Sequence, residues 1–373
     1  MLAVGGVVLA TVGERVTFKL AVDRMVPFRL VLMQLIVVTS LVVYGLISLV
    51  KQGLTRNMHA VTLPRTTLFA MALVDTVGFA GLTVAAAGVS PAMTVVLLHA
   101  STPCMVLGAH VCFPDRKYTP VQLRGVGLIA LAVTAGVGAT AGRHFFFASA
   151  DGSPGDTVST VVYAAMAGVQ GLATLYKERE IAAFAQPMDI HYLSSALFLY
   201  QAGVALVLAP VVYSLQGLAG GFPFTSYADN LIDGLACYIG DDPDYADALY
   251  DHSHANCGYC FALIGGYVAC GVLALECVDQ LVKVSHRTLG RALAAAVAVA
   301  ALALGGLCTP TAPGGGLLGS ALGFTDLAAL VVLLVGLELY GHDPEPDATA
   351  LTCFVPVAVA PVPLLQKTDS LTG

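Results

Sequence analysis

Thr66–Ala87 reads TTLFAMALVDTVGFAGLTVAAA, and after a three-position turn residues 91–113 read PAMTVVLLHASTPCMVLGAHVCF. The first stretch holds a single charged residue, Asp75, and the second holds no Asp, Glu, Lys or Arg. An α-helix needs roughly 20 apolar residues to cross about 30 Å of hydrocarbon, and both stretches reach that length. Between them Val89-Ser90-Pro91 is a turn signal, because proline has no N–H to continue a helix but suits its first position. The pair reads as a transmembrane hairpin.

The pattern repeats in both directions. Ten spans are read at roughly 2–21, 28–50, 66–87, 91–113, 120–141, 158–180, 191–213, 259–282, 286–308 and 322–341, divided by turn chemistry such as Lys51-Gln-Gly53, Pro114-Asp-Arg116 and Pro310 to Gly316. Composition agrees. Of 373 residues, 57% are hydrophobic and 11% charged, with a mean hydropathy of +0.82. A soluble domain carries about 25% charged residues, too many to be compatible with this chain. The expected fold class is an all-α polytopic membrane protein in contact with the lipid bilayer.

A net charge of −7 is not the basic footprint of a nucleic-acid binder, so no nucleic-acid partner is expected. Walker A, Rossmann and zinc-finger spacings are absent, and Cys257-Gly-Tyr-Cys260 offers only two thiols. No metal, cofactor or catalytic residue is assigned. The sequence shows no nucleophile–base or metal cluster for a membrane enzyme, and no repeated filter segment for a channel.

Charge sets the orientation. With the N-terminus in the cytosol and each span reversing direction, the cytosolic side holds 12 of the 17 Lys and Arg: Lys51, Arg56, Arg65, Arg116, Lys117, Arg124, Lys177, Arg179, Lys283, Arg287, Arg291 and Lys367. The other side keeps 5: Arg15, Lys19, Arg24, Arg29 and Arg143. The bias favours an even span number with both termini cytosolic. The run Leu2–Val12 lacks the basic start and cleavage site of a signal peptide, so it reads as a real span, with a cytosolic or targeting segment expected before it. Residues 214–256 form an acidic loop on the non-cytosolic side. Tyr227, Leu231, Leu235 and Tyr238 recur there at helical spacing, as in a short interfacial helix. The tail 342–373 is Pro-rich and expected to be disordered.

A charged side chain at bilayer depth costs about 2.5–3.5 kcal/mol on insertion scales, so such residues ordinarily face a cavity. Asp75 is a candidate for a cation or a coupling proton; its plainer reading is a packing partner. Glu276 and Asp279, three apart, share a helix face, although Asp279 can also pair with Lys283. Arg15 either lines a pore or is neutralised by Glu14. Gln34, His99, Ser101, Tyr163, Gln170, Tyr200 and Gln201 are polar groups within spans, suited to solute contact or to holding helices together, and His99 can titrate near neutrality. Paired small residues (Gly78 and Gly81, Gly125 and Gly127, Gly136 and Gly138, Gly265 and Gly266) suit close helix packing. Cys237 can bond Cys257 or Cys260 if the loop faces an oxidising compartment.

Several blocks, in order, carry a family resemblance. They are Arg15-Val-Thr-Phe-Lys19, Pro27-Phe with Met33-Gln-Leu35, Leu73-Val-Asp75, Leu98-His-Ala-Ser-Thr-Pro103, Tyr176-Lys-Glu178, Met188-Asp-Ile190 with Gln201, and Gly234-Leu-Ala-Cys237 followed by Asn256-Cys-Gly258. Together they resemble the chloroquine-resistance-transporter-like family of the drug/metabolite transporter superfamily, which includes plant plastid thiol transporters. His99 stands where members have Gln. The resemblance implies two inverted five-helix repeats, 1–141 and 158–341, joined by a linker at 142–157 and enclosing a central cavity. It implies a secondary carrier working by alternating access in an organellar membrane, either an acidic vacuole or endolysosome or a plastid envelope. The solutes implied are amino acids, small or thiol peptides, or cationic amphiphiles, with protons as a coupling partner and a monomer as the working unit. It also implies a Cys237–Cys257 disulfide. A nucleotide-sugar or triose-phosphate carrier is the nearest rival, and would place Lys or Arg deep in the late spans. Single cysteines at 177 and 241 in sealed vesicles should label from opposite sides; labelling from one side would refute the even-span topology.

Overall fold

The computed structural model describes residues 2–55, 63–113, 116, 118–146, 154–184, 189–216, 227–241, 257–284, 286–307 and 324–341. Among these, every regular element is a helix: Leu2–Arg24 (α1), a 3-10 turn Val26–Phe28, Arg29–Thr55 (α2), Arg65–Ala86 (α3), Pro91–Leu98 (α4), Ser101–Cys112 (α5), Pro120–Phe146 (α6), Pro154–Ala182 (α7), Ile190–Leu215 (α8), Tyr227–Ile239 (α9), Cys260–Val284 (α10), His286–Leu307 (α11) and Phe324–Tyr340 (α12). Eight stretches among the described residues are long and apolar enough to cross a membrane: α2 with its preceding turn, α3, the α4–α5 pair, α6, α7, α8, α10 and α11. The other two long helices differ in kind. α1 carries Glu14, Arg15, Lys19 and Asp23, and α12 has 17 residues.

Local chemistry sets the helix ends. Proline opens α4, α6 and α7, where its missing N–H breaks no bond. Asp189 caps α8, its carboxylate accepting from the N–H groups of His191 (2.8 Å) and Tyr192 (3.2 Å). The stretch 91–113, expected as one span, is broken between Leu98 and Ser101. Pro103 is the cause: it has no N–H for the carbonyl of His99 four residues earlier, and its ring crowds that carbonyl. The His99 carbonyl accepts instead from Thr102 N at 3.0 Å.

The exposure pattern is that of a soluble protein turned inside out. Leu107 is 72% exposed and Val207 79%, while Glu14, Lys19, Asp75 and Gln170 are buried. Hydrocarbon covers such a surface at no cost and gives a polar group nothing to bond, so the polar groups turn inward. The helices pack as α1 on α10 and α11, α3 on α7 and α8, α2 on α8, α5 on α7, α4 on α11, and α6 on α12. The last seam is a backbone contact: a Cβ added at Gly125 would meet Tyr340 N at 2.5 Å and Gly336 O at 2.7 Å. Gly78, Gly81 and Gly136 also face close neighbours, whereas Gly127, Gly138 and Gly265 face open space.

One end of the bundle is a capped face. Cys237 of α9 is bonded to Cys257, with Cα atoms 4.7 Å apart, and Cys260 is a buried cysteine outside that bond. α9 ends in a Schellman motif: Gly240 takes φ +97°, its N–H reaches Cys237 O at 3.1 Å, and Asp241 N reaches Ala236 O at 3.0 Å. Asn230 donates to Pro27 O at 2.9 Å, and Gln216 accepts from Leu30 N at 3.1 Å, satisfying a first-turn donor of α2. Three of the five cations that stood against the charge bias lie here with structural tasks. Lys19 donates to Asp23 (2.7 Å) and Ala86 O (2.9 Å), Arg29 to Val84 O (2.7 Å), and Arg24 to Gly258 O. Lys19 and Arg29 thus satisfy the last carbonyls of α3.

α6 and α7 both run into the stretch read as the linker 142–157. Residues 147–153, much of the loop 214–256 and the tail 342–373 lie outside the described residues, as do Arg56, Lys117 and Lys367 and the side chains of Arg143, Lys283 and Arg287.

Gly125→Leu must part α6 from α12, and should destabilise the protein by about 2 kcal/mol. Gly127→Leu, facing open space, should stay within about 1 kcal/mol of the parent. Thermal unfolding in detergent compares the two.

Candidate functional site

A cavity opens between α2, α3, α7, α8 and α10, and its polar lining comprises Ser40, Tyr44, Asp75, Gln170, Gln201 and Tyr267. Its volume is about 40 Å³, room for a few waters. Phe79, Phe198, Ile36, Val37, Val268 and Gly271 complete the wall. A second concavity, about 400 Å³, lies between α3 and α8 and is lined mainly by apolar groups, including Phe69, Leu73, Leu199 and Val207. Tyr200 lines this second hollow, not the polar cavity.

Asp75 is the centre of the polar cavity. Lys177, near the end of α7, forms an ion pair with its Oδ2, and Gln201 Nε2 donates to the same oxygen at 2.9 Å. Gln170 Nε2 donates to the Asp75 backbone carbonyl at 2.8 Å, which fixes that amide's orientation. Three buried polar atoms of the lining keep no partner: Asp75 Oδ1, Gln170 Oε1 and the Tyr44 hydroxyl. Two are pure acceptors, so the cavity is poised to receive hydrogen-bond donors. Of the residues singled out in the sequence, Asp75, Gln170 and Gln201 converge here.

The remaining candidates fall into three places. Arg15 acts electrostatically on His99, Tyr163 and Tyr267, and so belongs to a second polar neighbourhood that reaches the cavity through Tyr267. Glu14 Oε1 and Arg15 Nη2 are buried there without hydrogen-bond partners. Glu276 is not among the cavity-lining residues; it lies 2.7 Å from His191 Nε2 and 4.0 Å from Lys51 Nζ. Gln34 and Ser101 make packing contacts. Gln34 donates to Ala205 O at 2.8 Å, joining α2 to α8, and Ser101 donates to Leu98 O at 2.9 Å beside Gly171, where a Cβ would meet Ser101 O at 2.6 Å.

Lys177, His191 and Tyr44 are the residues that sequence reasoning passed over. Lys177 reads as an interfacial cation at the end of a span, yet its stem carries the ammonium inward to Asp75, leaving the side chain 13% exposed. His191 lies at a span boundary, where a polar residue is unremarkable.

The pair is asymmetric. Without Lys177 the Asp75 carboxylate is stranded, whereas without Asp75 the lysine can turn to the aqueous end. Lys177→Met should therefore destabilise the protein by about 3 kcal/mol, Asp75→Asn should cost less, and the double variant should recover most of the loss. Denaturation of the three variants in detergent, read as a double-mutant cycle, checks this.

No curated protein matches the chain. The family model described as CRT-like, chloroquine-resistance transporter-like, matches residues 1–266, from α1 into α10 and including every polar residue of the cavity except Tyr267. A match of that extent, on a chain whose described elements are all helices and include eight membrane-length stretches, makes this protein a member of the CRT-like family of membrane transporters.

Proposed function

We propose that the protein is a secondary active carrier that moves small solutes across an organellar membrane by alternating access, coupled to protons. The observation that carries this reading is the composition of the cavity centre. Asp75 comes from the first half of the chain, and all three of its partners, Gln170, Lys177 and Gln201, come from the second. A site assembled across two halves is remade whenever the halves move, which is what alternating access needs.

The packing supports an architecture of ten spans: α1, α2, α3, α4–α5 and α6, then α7, α8, α10, α11 and α12. Exchanging the first five with the second five turns the α1–α10 seam into α7–α3, and the α1–α11 seam into α7 against α4–α5. It leaves α2–α8, α6–α12 and α4–α11 as themselves, and all of these seams are present. Such exchange is expected of two inverted repeats, here residues 1–141 and 158–341. At about 40 Å³ the cavity holds waters and not a solute of amino-acid size, so a transported solute requires the walls to part.

The lining favours solutes that bring N–H donors or a cation: amino acids, small or thiol peptides, or cationic amphiphiles. A nucleotide-sugar or triose-phosphate carrier needs cations to hold phosphate, and Lys177, beside the cavity, is already held by Asp75. A vacuolar or plastid envelope membrane with both termini cytosolic completes the proposal.

Proteoliposomes with an imposed pH gradient should accumulate glutathione, an amino acid or a cationic amphiphile above protein-free vesicles. Asp75→Asn, which keeps size and hydrogen bonding, should lower that accumulation by about tenfold, the equivalent of about 1.4 kcal/mol. Transport of none of the three, by protein shown to be folded, would refute the reading.

A further inference from the structure

Ten residues before Gln201 on α8, and so about 15 Å nearer one end of the bundle, His191 is 1% exposed. Its Nε2 lies 2.7 Å from Glu276 Oε1 of α10, and its Nδ1 is buried without a partner. α8 and α10 share no extended seam; each packs on α2. The His191–Glu276 contact therefore ties together two helices that otherwise meet through a third. Tyr44 of α2 stacks on His191 with ring centroids 6.2 Å apart, and on Phe198 at 5.4 Å, and both Tyr44 and Phe198 wall the cavity. The tie stands directly behind the aromatic end of the cavity.

We propose that the His191–Glu276 pair is a proton-binding site, separate from Asp75, that latches this end of the cavity. The proposal rests on the carrier reading above and names its proton site. Asp75 already has its charge answered by Lys177 and Gln201. The pair is not so committed: Lys51, at 4.0 Å from Glu276 Oε1, stands beyond hydrogen-bond length. Imidazole is the side chain whose ordinary titration falls between about pH 5 and 8. In the neutral form Nε2–H donates to the Glu276 carboxylate. A proton added at Nδ1 makes that bond charge-assisted, roughly twice as strong, and sets an imidazolium against the Tyr44 ring. Loss of the proton from Nδ1 returns the weaker bond. The tie is thus firmer with the proton held and slacker once it has left.

The charges around the pair come from each neighbouring element. Lys51 of α2 opposes the imidazolium. Asp279 lies one turn beyond Glu276 on α10, and Asp189 accepts from the His191 backbone N–H. Glu14 of α1 acts on Tyr44 together with Glu276, and beyond lies the Asp75–Lys177 pair. Lys51 and, beyond it, Lys177 are the cations that face these carboxylates, and the Glu276 side chain is 46% exposed.

The chain contains no tryptophan, so Phe198→Trp places a single emitter in the stack. Its acrylamide quenching should rise about twofold between about pH 5 and 8 as the latch slackens. His191→Gln still donates to Glu276 but cannot titrate, and in that background, as in Glu276→Gln, the pH step should vanish. In proteoliposomes both variants should keep counterflow of the transported probe (glutathione, amino acid or cationic amphiphile) at equal pH and lose about tenfold of gradient-driven accumulation. An unchanged pH step in both variants, or unchanged gradient-driven accumulation, would overturn the proposal. Absent counterflow in the parent protein would overturn the carrier reading, leaving the fluorescence step to decide whether the latch exists.

Discussion

Hydrocarbon makes no hydrogen bonds, so each polar group inside this bundle either finds a partner in the protein or stays exposed to a large cost. Much of the structure follows from that rule. The last carbonyls of α3 are met by Lys19 and Arg29 from other elements, and a first-turn donor of α2 is met by Gln216 at the end of α8. A cluster of cations that looks misplaced by charge counting becomes the fastening of one end of the bundle. There α9, the Cys237–Cys257 bond and the Arg24–Gly258 contact hold four chain segments together.

The same rule bears on the cavity. Polar atoms left without partners are costly, and several stand at or beside the cavity: Asp75 Oδ1, Gln170 Oε1, the Tyr44 hydroxyl and His191 Nδ1. A passing solute or proton can supply what they lack. Because Asp75 and its partners come from different helices, and His191 and Glu276 from helices without an extended common seam, relative helix motion would rearrange both polar centres. Small residues at the seams leave smooth backbone surfaces, as at Gly171 against Ser101, over which helices can shift without unlocking interdigitated side chains.

Fold class was open to view in the chain because it rests on one-dimensional quantities: runs of apolar residues, the prolines between them, and charge. Asp75 stood out for the same reason, as an ionisable group midway along an apolar run, and Gln170 and Gln201 stood out by polarity. Polarity alone does not separate lining from packing. Gln34 and Ser101 carry the same signal as Gln201, yet they bond to carbonyls at helix contacts. The break at His99 was also written in the chain, in Pro103 four residues on, although the stretch reads as one span.

The sequence by itself determined that this is a bundle of membrane helices with an acidic group at depth, since hydrophobic length and buried charge are properties of a segment and its solvent. It also offered Cys237 two partners, and the resemblance chose between them. Only the tertiary structure decided who answers Asp75. Lys177 is 102 positions away on a helix that meets α3 through packing, and His191 reaches Glu276 across 85 positions and a gap between helices. Those pairings depend on how far a flexible stem bends inward and on which helices lie side by side. Both are settled by side-chain packing across the whole bundle, and neither leaves a periodic trace in the order of residues.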